Sequence, residues 1–272
     1  MRKRPSLRTT PQRQAMPWSW TLSGALLGLL LATVIYAPAQ WAAQGIAQLS
    51  GDRVQMLNPQ GTVWHGSAQL VLAAGEGSDT RTLLPGRVQW ELRSAGRGLG
   101  LALQADCCLR EAWVWSVNPS TVGLRLDGSE LPENQPLVWP TAMLIGLGTP
   151  WNTLKLDGNL ALSTRKLSLR WEAGRWSVDG RAQLDATQMS TSLSTLKPVG
   201  SYRITVIGGP TPTLDLSTLD GSLHLSGSGR WIAGRLQFEG QASAAPERAE
   251  ALANFLNIIG RRQGDRSIIK VG

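Results

Sequence analysis

Hydrophobic positions along this chain fall into three regimes. From Trp18 to Ala37 the segment "WSWTLSGALLGLLLATVIYA" carries no charge. About 20 such residues suffice to cross a bilayer as a helix. The next stretch, "AQWAAQGIAQLS" (39–50), predicts a short helix. From there the period changes to two. Val63 alternates with His65, "RVQWELR" (87–93) alternates throughout, and Leu99, Leu101 and Leu103 follow. Leu167/Leu169/Trp171, Ile204/Val206, Leu214/Leu216, Leu223/Leu225 and Leu236/Phe238 continue the rhythm. Alternation places apolar side chains on one face of a strand and polar ones on the other, the mark of antiparallel sheet.

Turn signals punctuate these runs: Asp127-Gly128, Asp157-Gly158, Asp179-Gly180 and Gly208-Gly209. A weak internal echo links "LDGNLALS" (156–163) to "LDGSLHLS" (219–226). It also links the Gly-Arg-Trp at 174–176 to the one at 229–231, and each reads as a turn. The spacing suits two related meanders in one sheet. Residues 129–150, "SELPENQPLVWPTAMLIGLGTP", break the rhythm with four prolines. They form either a linker or a short helix near Thr141–Leu147 packed on the sheet.

The last helix is the best defined. Pro246 suits a first helical position and Glu247 a first turn. Ala245, Ala249, Leu252, Leu256 and Ile259 make one apolar stripe. Gly260 predicts a left-handed stop, with Arg261 and Arg262 offsetting the negative helix end. "DRSIIKV" (265–271) then predicts one final strand. The expected fold is therefore mainly β. One N-terminal transmembrane helix (18–37) follows a basic tail (1–17). A curved, mostly antiparallel domain (38–272) closes with a helix before the last strand, and two related halves join near 129–150.

Charge supplies an orientation. The formal net charge of the 272 residues is +8, but Arg2, Lys3, Arg4, Arg8 and Arg13 precede the apolar run. Cations ahead of a span predict a cytoplasmic N-terminus, while Trp18, Trp20 and Tyr36 mark the two interfaces. A cleavable leader is the alternative, since Ala37-Pro38-Ala39 has the small-x-small form. Either way, the rest of the chain lies outside the cytoplasm. That remainder is near charge balance and shows no basic stripe interleaved with aromatics, which argues against nucleic acid.

Candidate chemistry is thin. The glycines and arginines of "IIGRRQGDRSIIKVG" (258–272) follow a helix rather than precede one and lack Gly-Lys-Ser/Thr, so they make no phosphate loop. "GSGRWIAG" (227–234) reads as a hairpin turn. His65 and His224 sit in alternating strands, and Leu223 and Leu225 turn His224 to the wet face. Two histidines and one adjacent cysteine pair do not make a metal site. Neighbouring Cα atoms lie about 3.8 Å apart, below the usual disulfide span of about 4.4–6.8 Å. Cys107 and Cys108 are thus expected as half-buried thiols, with a strained vicinal disulfide or an intermolecular bridge as alternatives. The chain reads as a non-enzyme with no cofactor and no metal.

Several stretches together resemble the type II secretion system protein N family. They are the N-terminal anchor, "GTVWHG" (61–66), "LKPVGSYRI" (196–204), "STLDGSLHLSGSGRW" (217–231) and "LQFEGQASAAPERAEALANFLNIIGRRQGDRSIIKVG" (236–272). The residues carrying the pattern are Gly61, Trp64, Gly66, Gly200, Tyr202, Gly221, Gly227 and Trp231. Phe238, Gly240, Pro246, Leu256, Gly260, Arg261, Arg262 and Gly272 complete it. The resemblance implies an accessory, single-span subunit of the bacterial inner membrane with a periplasmic domain. It would contact other secretion subunits during export of folded proteins from the periplasm. The sheet is also similar to AsmA-like proteins that hold lipid chains. A lipid-handling groove, with phospholipid on the apolar face, is therefore the second expectation.

Overall fold

The computed structural model describes residues 18–75, 80–95, 98–121, 123–149 and 151–272. Arg2, Lys3 and Arg4 lie outside the described residues. The chain divides into two compact units, Met1–Ala37 and Pro38–Gly272.

In the first unit, α1 (Trp18–Ile35) is an uncharged helix whose leucines, Trp18, Trp20 and the following Tyr36 are exposed. Its 18 residues rise about 27 Å at 1.5 Å each, just under the ~30 Å of a hydrocarbon core. Among the described residues, no helix is long and apolar enough to cross a membrane by itself.

The second unit opens with α2 (Ala39–Ser50), closed by Gly51 in the left-handed conformation that glycine tolerates. Then come β1 (Val54–Gly61), β2 (His65–Ala73), β3 (Arg81–Leu83), β4 (Val88–Ala95) and β5 (Gly98–Ala105). β6 (Trp113–Ser120), β7 (Gly123–Gly128) and β8 (Leu137–Pro140) lead into a 3-10 helix (Thr141–Leu147) and the short α3 (Trp151–Leu154). The two longest strands, β9 (Asp157–Glu172) and β10 (Arg175–Ser190), precede β11 (Gly200–Ile207) and β12 (Thr213–Gly221). β13 (Leu223–Ile232), β14 (Arg235–Ala244), α4 (Ala249–Ile259), β15 (Arg261–Gln263) and β16 (Arg266–Val271) finish the chain.

All strands belong to one antiparallel sheet in the order β1-β2-β4-β5-β6-β7-β9-β10-β11-β12-β13-β14-β16-β15, with β3 on β2 and β8 on β9. Almost every strand pairs with a sequence neighbour, so the sheet is a long meander. Registers align apolar positions on one face across most of the strands. Trp90 lies opposite Leu103, Leu101 opposite Trp115, Leu126 opposite Leu169, Leu184 opposite Ile204, and Ile204 opposite Leu216. Directly opposed residues share a face, so the period-two pattern of each strand adds to that of the next.

Several expectations change. Asp179-Gly180 is no turn. It lies inside β10 at a register shift, with Gly180 at φ 93° and its carbonyl accepting from Gly208 N at 2.8 Å. The extra residue lies in the partner strand β9, where Lys166 (φ 49°) and Leu167 stand opposite Gly180 as a bulge. Asp127-Gly128 and Asp157-Gly158 are likewise strand ends, whereas Gly208-Gly209 does lie in the loop between β11 and β12. The internal echo has a different alignment. Its equivalent turns are "WEAGR" (171–175) and "WIAGR" (231–235), with Ala173 and Ala233 at φ 50° and Gly174 and Gly234 at φ 77° and 78°. Both are hairpin turns with two positive φ values, the type that suits the twist of paired strands. The Gly-Arg-Trp at 174–176 ends in β10, but the one at 229–231 lies wholly within β13.

The C-terminal stop also differs. Gly260 is extended (φ −168°, ψ 179°), so the chain runs straight from α4 into β15 rather than through a left-handed residue. The Ser267 hydroxyl, fully buried, donates to Leu256 O at 2.6 Å and satisfies a carbonyl of the last turn. Arg262 Nε donates to Gly264 O at 2.8 Å in the hairpin, not to the helix end. "RRQGDRSIIKV" forms two strands around a Gly264-Asp265 turn, and β15 is the sheet edge. The helix buries Leu252, Phe255 and Leu256, whereas Ala249 is exposed. Finally, Cys107 and Cys108 are joined by a disulfide, not held as free thiols. The cysteines occupy a turn between β5 and β6 that exposes Cys107 and buries Cys108.

Candidate functional site

The family-pattern residues, scattered in sequence, meet across strands. Gly61 pairs with Gly66, Gly200 with Gly221, and Gly227 with Gly240. Each pair brings two backbones closer than side chains permit. A Cβ on Gly61 would lie 2.5 Å from His65 O, and one on Gly66 would lie 2.6 Å from the Trp90 ring. A Cβ on Gly221 would strike the Gly200 backbone. At the third pair the Phe238 ring fills the space, 2.5 Å from a Cβ on Gly227 and 2.9 Å from one on Gly240. An aromatic laid over paired glycines restores the packing that the missing side chains forfeit. Gly272 likewise abuts Leu236 O.

Around the second pair, Tyr202 is buried and its hydroxyl donates to Leu223 O at 3.1 Å. Burial raises its pKa above the ordinary tyrosine value. Val199 O accepts from both Ser222 N and Leu223 N at 3.0 Å. On the opposite, polar face, Arg203 grips Asp185 with Nε and Nη2, each at 2.7 Å, and the bond raises the Arg203 pKa. Leu223, Ala242 and Tyr202 then carry Leu252, Phe255 and Leu256 of α4, in the largest buried apolar cluster among the described residues. Pro246 starts the 3-10 turn leading into α4. Trp231, Phe238 and Trp64 are partly buried, while Arg261 and Arg262 are exposed on the edge strand.

The histidines do not meet. His65 stands opposite Glu91 in a polar surface groove of about 750 Å³. There Arg93 Nη2 binds Glu91 at 2.6 Å, and this bond is the main reason the Glu91 pKa lies below its ordinary value. Ser67, which also lines the groove, accepts from Arg87 Nε at 3.1 Å. His224 is exposed on the polar face, as the alternation predicts. Among the described residues no cluster of three or more metal-ligating side chains occurs.

A second feature lies on the apolar face: an open cavity of about 390 Å³ between β2, β4, β5, β8 and the 3-10 helix. Leu70 and Leu72, Leu84, Leu103, Trp139 and Met143 contribute to its walls, and the disulfide turn adds Cys108 and Leu109. The alternation of β5 announced Leu103. Cys108, Leu109 and Met143 come from a turn and a 3-10 helix without strand periodicity, and only the fold brings them there.

The long meander, its paired glycines and the closing α4–β15–β16 segment coincide with one family. Residues 52–269 match the protein-family model for Type II secretion system (T2SS), protein N. The chain belongs to that family. The match begins just after α2 and extends into the last strand, so it covers all of the sheet but the end of β16. No curated protein and no solved structure matches the chain. Membership in the protein N family makes the chain an accessory component of type II secretion, working with other components of that system.

Proposed function

We propose that this T2SS protein N is a non-enzymatic interaction subunit held in the bacterial inner membrane by its N-terminal segment, with the β domain in the periplasm. The observation that carries the anchor is the uncharged run from Trp18 to Ala37, of which α1 presents its apolar side chains outward. α1 alone is slightly short, and Tyr36 and Ala37 extend the run to the length that spans. Aromatic rings at both ends and five preceding cations orient it with its N-terminus in the cytoplasm. The Cys107–Cys108 disulfide supports the oxidising compartment on the far side.

Partner contact is best served by the sheet edge at β15. Its outer backbone groups are available for strand addition, and Arg261, Arg262 and Gln263 are exposed beside them. Deletion of the gene with plasmid complementation tests the role. Loss of exoprotein secretion, restored by the full chain, is expected. Secretion unchanged where the other subunits are required would end the proposal. Resistance of the membrane-bound chain to alkaline carbonate extraction tests the anchor separately.

A further inference from the structure

The cavity beside the disulfide turn has no role in that reading. Among the described residues lining it, Gln104 alone is neither aliphatic, aromatic nor sulfur-bearing, and it belongs to the opposite face, where it pairs with Gln89. Trp113 Nε1 is already bonded to Ser129 O at 3.0 Å. Water needs two or more polar partners to occupy a void, so a cavity of this lining favours an apolar guest. Its size falls in the range of small-molecule sites.

The surroundings say what kind of guest. From the cavity wall at Leu103 and Trp113, the apolar face continues outward along β5 and β6 through Leu101 opposite Trp115 and Leu99 opposite Val117. It crosses β7 to the tip of the β9–β10 hairpin, where Trp171 faces Trp176. Beyond Leu101 the stretch is open: Leu99 is 42% exposed, Trp171 42% and Trp176 59%. The registers place these residues at the same end of the strands as the β1–β2 turn, where Pro38 forms a bridge with Thr62. The β domain therefore begins at the open end of the apolar face. Ala39, 2% exposed, packs against Trp90 and Ala68, and Leu101 and Leu103 lie against that cluster. Leu103 is also a cavity wall. One contiguous apolar surface thus runs from the point of chain entry into the void.

We infer that the cavity takes the acyl chain of a membrane phospholipid, which enters along the uncovered face beside the point where the chain leaves the bilayer. The direction of entry rests on α1 being the anchor; the apolar site does not. A free apolar peptide would lack the continuity with the bilayer that the chain-entry point supplies.

The test uses the full chain reconstituted in vesicles of phosphatidylethanolamine and phosphatidylglycerol doped with a phosphatidylcholine bearing a diazirine in its acyl chain. After irradiation, adducts are mapped by mass spectrometry. Adducts on Leu109 and Met143 are expected. Leu109→Trp should reduce them about tenfold, the effect of excluding roughly two methylene groups, with α1 adducts and melting temperature unchanged. Val88→Phe fills the same void from another wall and guards against a misfolded variant. Labelling confined to α1, or to Trp171 and Trp176 without the cavity, overturns the inference, as do cavity adducts that survive both variants. Cavity adducts without α1 adducts would instead overturn the anchor.

Discussion

Under α4 the apolar face of the sheet meets three side chains of one amphipathic helix. Leu252 and Leu256 are fully buried there, Phe255 nearly so. Between β2 and β8 the same face meets a 3-10 helix and a disulfide-closed turn, and a cavity of about 390 Å³ remains. The strands of both regions alternate alike. What differs is the cover. An α-helix presents a stripe of neighbouring apolar side chains at every turn, whereas a 3-10 helix has poorer hydrogen bonding and presents fewer. Alternation therefore makes a face, and only the packed element decides whether that face becomes core or site.

Removing the strands that hold the α4 cover in place should give the largest effect. Deletion of residues 260–272 takes β16 from β14 and removes Ser267, which bonds the end of α4. The truncated chain is expected to lose cooperative melting in calorimetry, and a sharp transition near that of the intact protein would break the contrast. Next, Leu252→Ala should cost about 3–5 kcal/mol. Leu109→Ala, beside an existing void, should cost only about 1–2 kcal/mol. Equal losses in urea unfolding would mean that the two regions are packed alike.

Gly260→Val should cost about 1–3 kcal/mol, the range for overpacking. Its backbone is extended, so the obstacle is contact: a Cβ there would sit 2.6 Å from Ile268 O. Gly260→Ala should show most of the same loss in thermal melts, which a conformational stop would not explain.

The smallest effect is expected at Tyr202→Phe, about 1 kcal/mol at neutral pH for the bond to Leu223 O. The wild type should also lose stability above about pH 10, where the unfolded tyrosine ionises but the folded one, its pKa raised by burial, does not. The phenol binds its proton more tightly when folded, so the stabilisation is present below the unfolded pKa and declines as pH rises. The phenylalanine variant should show a shallower alkaline decline in denaturation midpoint against pH.

Legibility in the sequence followed the range of the interaction. The 39–50 helix, the helix near Thr141–Leu147 and the C-terminal helix depend on local pattern and stand where the residues place them. Gly260 and Asp179-Gly180 misled because glycine serves close approach and bulges as readily as turns. In both cases the deciding neighbour, Ile268 for Gly260 and Lys166 for Gly180, is distant in sequence or across the sheet. An echo was visible in the Gly-Arg-Trp copies at 174–176 and 229–231, but the equivalent turns, 171–175 and 231–235, are set by which residues take positive φ, Ala173 and Ala233 with their glycines.

By itself the sequence determined the uncharged N-terminal run, the alternation that commits residues after 50 to strands, the closing helix and membership in the protein N family. Each is a property of neighbours along the chain or of a pattern carried in order. The tertiary structure alone decided the pairing of Gly61 with Gly66, Gly200 with Gly221 and Gly227 with Gly240. It also decided the disulfide at Cys107–Cys108 and the void it borders. A period of two says which face a side chain joins. What lies over that face is set by elements tens of residues away, through packing that no local pattern encodes.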